Sequence, residues 1–202
     1  MQYKIFKPRP ELLLHPNIPK PLHEVNPRNI KGKEWWDTER KKVYASTNQH
    51  CAACGVSRHE AKLHKWLEAH EIYDIDYKHG RATLKEIVPL CHYCYSYINS
   101  GYLNVRYGEG KISREHYQAI LVHGQTLTRD LKKPKSPSTF APWRPWRLIF
   151  EDKEYEPKFE SSLVISWVFF FTYSPPGPSI AIGQSPLLGL TQVYNKSALV
   201  VH

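Results

Sequence analysis

Two Cys-x-x-Cys pairs, Cys51-Ala52-Ala53-Cys54 and Cys91-His92-Tyr93-Cys94, stand 36 residues apart and account for every cysteine of this 202-residue chain. Four thiolates form the tetrahedral soft-donor set that zinc prefers, and a four-cysteine site leaves no coordination position open. An ion held this way fixes a fold and does no chemistry itself. Cys51, Cys54, Cys91 and Cys94 are therefore expected to bind one structural Zn²⁺. Gly55 follows the first pair, as a tight knuckle turn requires. The second pair falls at an expected helix start, where the helix dipole favours thiolate. The competing readings are a redox pair or unliganded buried thiols. A redox pair opens a helix in a βαβ pattern and has no need of a second pair.

Composition bounds the rest. Hydrophobic residues make up 41% and charged residues 23%, which permits a globular core. The 16 prolines and 10 glycines are close to ordinary usage, so collagen-like and wholly disordered chains are excluded. A formal net charge of +9 attracts phosphate or anionic lipid and excludes an acidic solvating protein. The charge is uneven: residues 1–50 and 101–150 are basic, whereas residues 51–100, which hold every cysteine, balance. The first eight residues carry no apolar run of signal-peptide length. The longest apolar run, Leu163–Phe171, is far short of the ~20 residues that span a bilayer. No secretion, no membrane and a reducing cytoplasm are the expectation, with the cysteines not paired as disulfides.

Residues 1–32 contain six prolines and little periodicity, and read as an extended basic arm. Residues 33–131 read as the domain proper. A helix is expected over Lys33–Thr47, with Trp35 and Trp36 in the core, and a strand over His64–Asp74. His64, Trp66, Glu68, His70 and Ile72 would share one face of that strand. A turn at Tyr77–Gly80 leads to a second strand over Ala82–Val88. Helices follow over Cys91–Ser100, closed by Gly101, and over Ser113–His123, capped by Ser113 and stopped by Gly124. Residues 132–160 read as a basic, proline- and tryptophan-rich connector. Residues 161–202 form a tail with no acids and one base, Lys196, and no function is assigned to it.

The order Cys-x-x-Cys, Leu67-Glu68-Ala69-His70-Glu71-Ile72, Val88-Pro89-Leu90-Cys91-x-x-Cys94, and the helix Tyr95–Gly101 resembles the HNH endonucleases, the ββα-metal nucleases with a treble-clef-like zinc frame. The resemblance covers roughly residues 45–103. It implies an α+β fold with a small zinc-bound treble-clef-like ββα-metal core, flanking helices and extended terminal segments. It implies hydrolysis of phosphodiester bonds in DNA, with RNA as the second substrate, by one divalent ion (Mg²⁺, Mn²⁺ or Zn²⁺). His70 falls on the strand ligand position and Asn99 on a helix ligand position. Glu71 stands where the family has a general-base histidine, and serves as base or third ligand. Tyr95 stands where the family has a histidine or asparagine and is a poor ligand near neutral pH. His92, Asp74 and Asp76 are further groups that could complete the shell. The rival reading is an HNH-like zinc module that binds nucleic acid or a protein without cleaving. Taken alone, His70 reads as a satisfied strand histidine, Glu68 and Glu71 as solvated carboxylates, and Asn99 as a helix-terminal residue.

Two basic clusters are candidates for phosphate contact: Arg40, Lys41 and Lys42 before the knuckle, and Arg129 with Lys132, Lys133 and Lys135 after the last helix. Solvated faces are the equal alternative. The tandem Pro142-Trp143-Arg144-Pro145-Trp146-Arg147 could stack on bases, but anchoring a linker on the domain is the preferred reading.

Overall fold

The structure is a computed structural model that describes residues 6–157. The expected tail over 161–202 lies outside the described residues. Five α-helices and a four-stranded sheet make a mixed α+β fold. They are α1 (Pro27–Lys31), α2 (Lys33–Ser46), β1 (Glu68–Asp76), β2 (Arg81–Leu90), α3 (His92–Ile98), α4 (Ser100–Gly108), α5 (Arg114–Thr128), β3 (Arg147–Phe150) and β4 (Lys153–Tyr155).

The sheet runs in the order β1-β2-β3-β4. β1 and β2 form an antiparallel hairpin that pairs His70 with Val88 and Glu71 with Ile87, with a register shift at Ile72/Tyr73. The four-residue turn expected at Tyr77–Gly80 joins them, with Gly80 at a φ of +69°. β1 is shorter at its start than the sequence suggests. Leu63 takes a left-handed φ of +67°, which a strand does not accommodate. His64 and Trp66 therefore lie in an irregular turn and not on the strand face.

β3 and β4 were not expected. β3 runs parallel to β2, with Leu148 beside Ala82, and β4 turns back against β3. The stretch 132–160 is thus a connector only in its first half. Trp146 explains the junction: it is 3% exposed and its indole donates to the Ala141 carbonyl at 3.3 Å. Trp143, its partner in the tandem, is exposed.

Residues 6–32 are not an extended arm. Two 3-10 turns, Pro10–Leu14 and Lys20–Leu22, precede α1. Asn26 caps α1 by accepting from the Asn29 amide, and Pro27 fills its first position. The prolines break periodicity, but Leu12, Leu13, Leu22 and Val25 are all buried. Leu12 and Leu13 join one core with the cysteines, Leu67, Val88, Leu90 and Ile98. Leu22 and Val25 join a second core with Tyr73, Ala82, Trp146, Leu148 and Phe150. Arg9 adds a two-pronged ion pair to Glu86 of β2 at 2.8 and 2.9 Å.

Ser113 caps α5, accepting from the His116 amide at 3.2 Å. The two glycine stops do not act as stops. Gly101 sits inside α4, which continues almost without a break from α3. Gly124 lies within α5 and faces α3: a β-carbon there would stand 2.2 Å from the Tyr97 ring. Close approach of two helices, and not chain termination, is its reason.

Candidate metal centre and adjoining cavity

The knuckle is built by backbone pairing. The Cys51 amide donates to Val56, the Gly55 amide to Cys51, and the Ala52 amide to Pro89 of β2 at 2.7 Å. Gly55 holds a φ of +79°, and a β-carbon there would stand 2.6 Å from the Pro8 ring. This turn brings Cys51 and Cys54 to the end of β2, where Cys91 and Cys94 open α3. All four sulfurs lie within 4.8 Å of one another, the spacing of a tetrahedral ion site. They are free thiols, three of them buried. Among the described residues, no other group of three or more His, Cys, Asp or Glu side chains converges in this way.

The electrostatics of the quartet call for a cation. Hydrogen bonds from Cys54, Cys91 and Cys94 hold the Cys51 thiol far below its usual range. The same crowding, chiefly Cys51 and Cys54, pushes Cys91 and Cys94 up. Four sulfurs this close together could hold a structural metal ion such as zinc, whose charge would offset the repulsion between thiolates. His123 of α5, which the sequence did not single out, places Nε2 3.3 Å from the Cys94 sulfur. Only the tertiary approach of α5 to α3 reveals it.

Residues of the N-terminal segment, β1, α3 and α4 line a half-open cavity of about 530 Å³. His70, Glu71, Tyr95 and Asn99 line it together with His15 and Tyr102. The three expected catalytic positions thus border one space. β1 is an edge strand, so neighbours in its sequence can reach the same cavity. The His70 ring meets the Tyr95 ring edge-on at 5.8 Å and the His15 ring at 6.5 Å. Burial, with a smaller effect of His15, pushes His70 down to about 4, so its imidazole is neutral near pH 7. Asn99 donates its amide nitrogen to the Tyr95 carbonyl at 2.8 Å, which leaves its side-chain oxygen to accept. Burial raises Glu71 above the ordinary carboxylate range, and no ion pair among the described residues involves it. Tyr95 is pushed up to about 12 by burial and then by Glu68 and Glu71. It remains a phenol and not a ligand.

Other candidates fall elsewhere. Asp76 accepts from the His79 ring at 2.6 Å in the hairpin turn, and Asp74 is exposed. His92 pairs with Glu68 at 3.2 Å and borders a separate cavity of about 70 Å³. Arg40 and Lys42 are engaged by Asp37 and Glu39 of their own helix at 2.8 and 2.6 Å. Lys41, Lys132, Lys133 and Lys135 are exposed. Trp36 is buried, and Trp35 packs edge-on against Phe150 at 5.5 Å.

No protein-family model, curated protein or solved structure matches this chain. No helix among the described residues is long and apolar enough to cross a membrane.

Proposed function

We propose that this chain is an HNH-type, metal-dependent endonuclease that hydrolyses phosphodiester bonds in nucleic acid, DNA first and RNA second, on a zinc-stapled treble-clef-like ββα-metal core. One observation carries the reading. A four-sulfur cluster ties a hairpin to the helix after it, and His70 and Glu71 of that hairpin and Asn99 beyond the helix border one cavity.

The donor set suits a hard or borderline divalent ion: a neutral imidazole, an amide oxygen with its nitrogen already engaged, and an unpaired, half-buried carboxylate. His70 and Asn99 would hold Mg²⁺, Mn²⁺ or Zn²⁺, which when bound supplies positive charge beside the scissile phosphate. Glu71 acts as base. It takes a proton from water as the water oxygen bonds to phosphorus and the bond to the departing sugar oxygen breaks. That oxygen then takes a proton from solvent. An ordinary carboxylate is ~2 pKa units less basic than imidazole, and the burial of Glu71 narrows that gap.

Tyr95 favours a second reading. A protonated phenol stands where the family has a histidine or asparagine, which suits a module that kept the scaffold and lost turnover. Supercoiled plasmid incubated with Mg²⁺, Mn²⁺ or EDTA, beside His70→Ala, separates the two. Nicking that needs both the ion and His70 supports the enzyme. Salt-sensitive binding without nicking supports the module.

A further inference from the structure

The surface beside the cavity carries aromatic rings that the catalytic reading does not use. Tyr102 of α4 lines both the large cavity and the smaller one next to it, and is 66% exposed. The Arg106 guanidinium lies one helical turn on, 6.0 Å from the Tyr102 ring centre, and lines the smaller cavity. No carboxylate among the described residues pairs with Arg106. Trp66 is 54% exposed and stacks flat on His64, with ring centres 4.0 Å apart. His64 meets His92 at 4.6 Å, and His92 meets His116 at 5.4 Å. Arg106 lines the smaller cavity together with His92, which places the guanidinium on the same surface.

A solvated tyrosine gains nothing from standing two-thirds in water at a cavity rim. An unpaired guanidinium beside it lacks the anion that its planar fork fits best. Bases stack on aromatic faces whatever their sequence, and guanidinium groups bind the phosphates between them. The Arg106 cation and the chain's net charge of +9 favour an anionic occupant over a protein partner.

We propose that the rim formed by Tyr102 and Arg106 is a track for single-stranded nucleic acid, on which a base next to the scissile bond stacks on Tyr102 and its phosphate sits on Arg106. The track rests on the nucleic-acid reading above, but not on cleavage.

Binding is measured on the full, zinc-loaded chain without added Mg²⁺ or Mn²⁺. The probes are a fluorescein-labelled 12-nucleotide DNA strand and its duplex, followed by fluorescence anisotropy at several KCl concentrations. Tyr102→Ala should weaken the single strand about tenfold and the duplex less than about twofold, whereas Tyr102→Phe stays within about twofold of wild type. Arg106→Gln should weaken the single strand and lower the slope of log K against log salt by about 0.7. Unchanged zinc content and circular dichroism establish that the variants fold. Wild-type affinity in Tyr102→Ala, or an equal loss in Tyr102→Phe, overturns the track. The expected binding pattern without nicking upholds the track and overturns the nuclease. Nicking with binding unaltered in Tyr102→Ala overturns the track alone.

Discussion

His123 on α5 sits 3.3 Å from the sulfur of Cys94 on α3, so a helix that contributes no cysteine touches the cysteine cluster. With an ion bound and Cys94 a thiolate, an Nε2–H tautomer of His123 would spread the sulfur's charge and orient it. Outer partners of this kind are worth 10- to 100-fold in metal affinity. His123→Ala should weaken zinc binding by about that factor, read by competition with a chromogenic chelator. An unaltered affinity would mean the contact is packing alone.

Zinc itself should be present at one ion per chain. The sulfurs join the knuckle to the start of α3 and lie within one core with Leu12, Val88 and Ile98. Stripping the ion leaves crowded thiols in that core and removes the link between the two halves. Chelation should therefore collapse the far-ultraviolet circular dichroism signal, with recovery on adding Zn²⁺. Folded protein with clearly less than one zinc per chain would refute the cysteine assignment.

Gly124 would ordinarily gain about 1 kcal/mol on replacement by alanine in a helix. Here the new carbon would stand 2.2 Å from the Tyr97 ring, and the clash wins. Gly124→Ala should lose about 1–3 kcal/mol, the range for overpacked cores, seen as a lower urea midpoint. A stabilised variant would show that α3 and α5 have room between them.

The cysteine quartet, the hairpin, α2 and the Ser113 cap were legible because each has a local signature: ligand spacing, alternation, a stripe, a hydroxyl before a helix. What was not legible depends on distant partners. Gly124 looks like a helix stop until Tyr97 is placed against it. The prolines of the first thirty residues hide Leu12, Leu13, Leu22 and Val25, whose burial follows no period. β3 is four residues long, too short to announce itself, and it pairs with β2 across the intervening helices α3, α4 and α5. At the candidate site, the family resemblance named His70, Glu71 and Asn99, which taken alone read as ordinary structural residues, and only the fold shows which groups share their cavity.

His70→Ala should reduce ion-dependent nicking about 100-fold or more, with zinc content unchanged. Tyr95→His combined with Asn99→His restores the histidines that the family resemblance leads one to expect. It should raise nicking or ion affinity. No gain in either would mean that the cavity serves another ligand.

His15 links the N-terminal segment to β1. Its Nε2 lies 2.9 Å from the Tyr73 amide nitrogen and 2.7 Å from the Tyr73 carbonyl oxygen. Burial holds its pKa below the ordinary 6.5, against the raising effect of its backbone partners. The unfolded chain then binds the proton more readily, so stability is present above about pH 6.5 and is lost as pH falls toward the folded value. His70 faces it and is depressed in the same sense. With zinc saturating, the urea midpoint should fall between pH 7.5 and 5.5, and fall less in His15→Gln. Equal losses in both proteins would remove His15 from the account.

The parallel seat of β3 next to β2 has a consequence for biosynthesis. On the ribosome β2 emerges with β1 beside it, but the other side of Arg81–Thr83 stays without its strand partner until the segment around Arg147 leaves the exit tunnel. Translation that stalls before then leaves an unfinished sheet, whose open backbone amides invite another nascent copy to join.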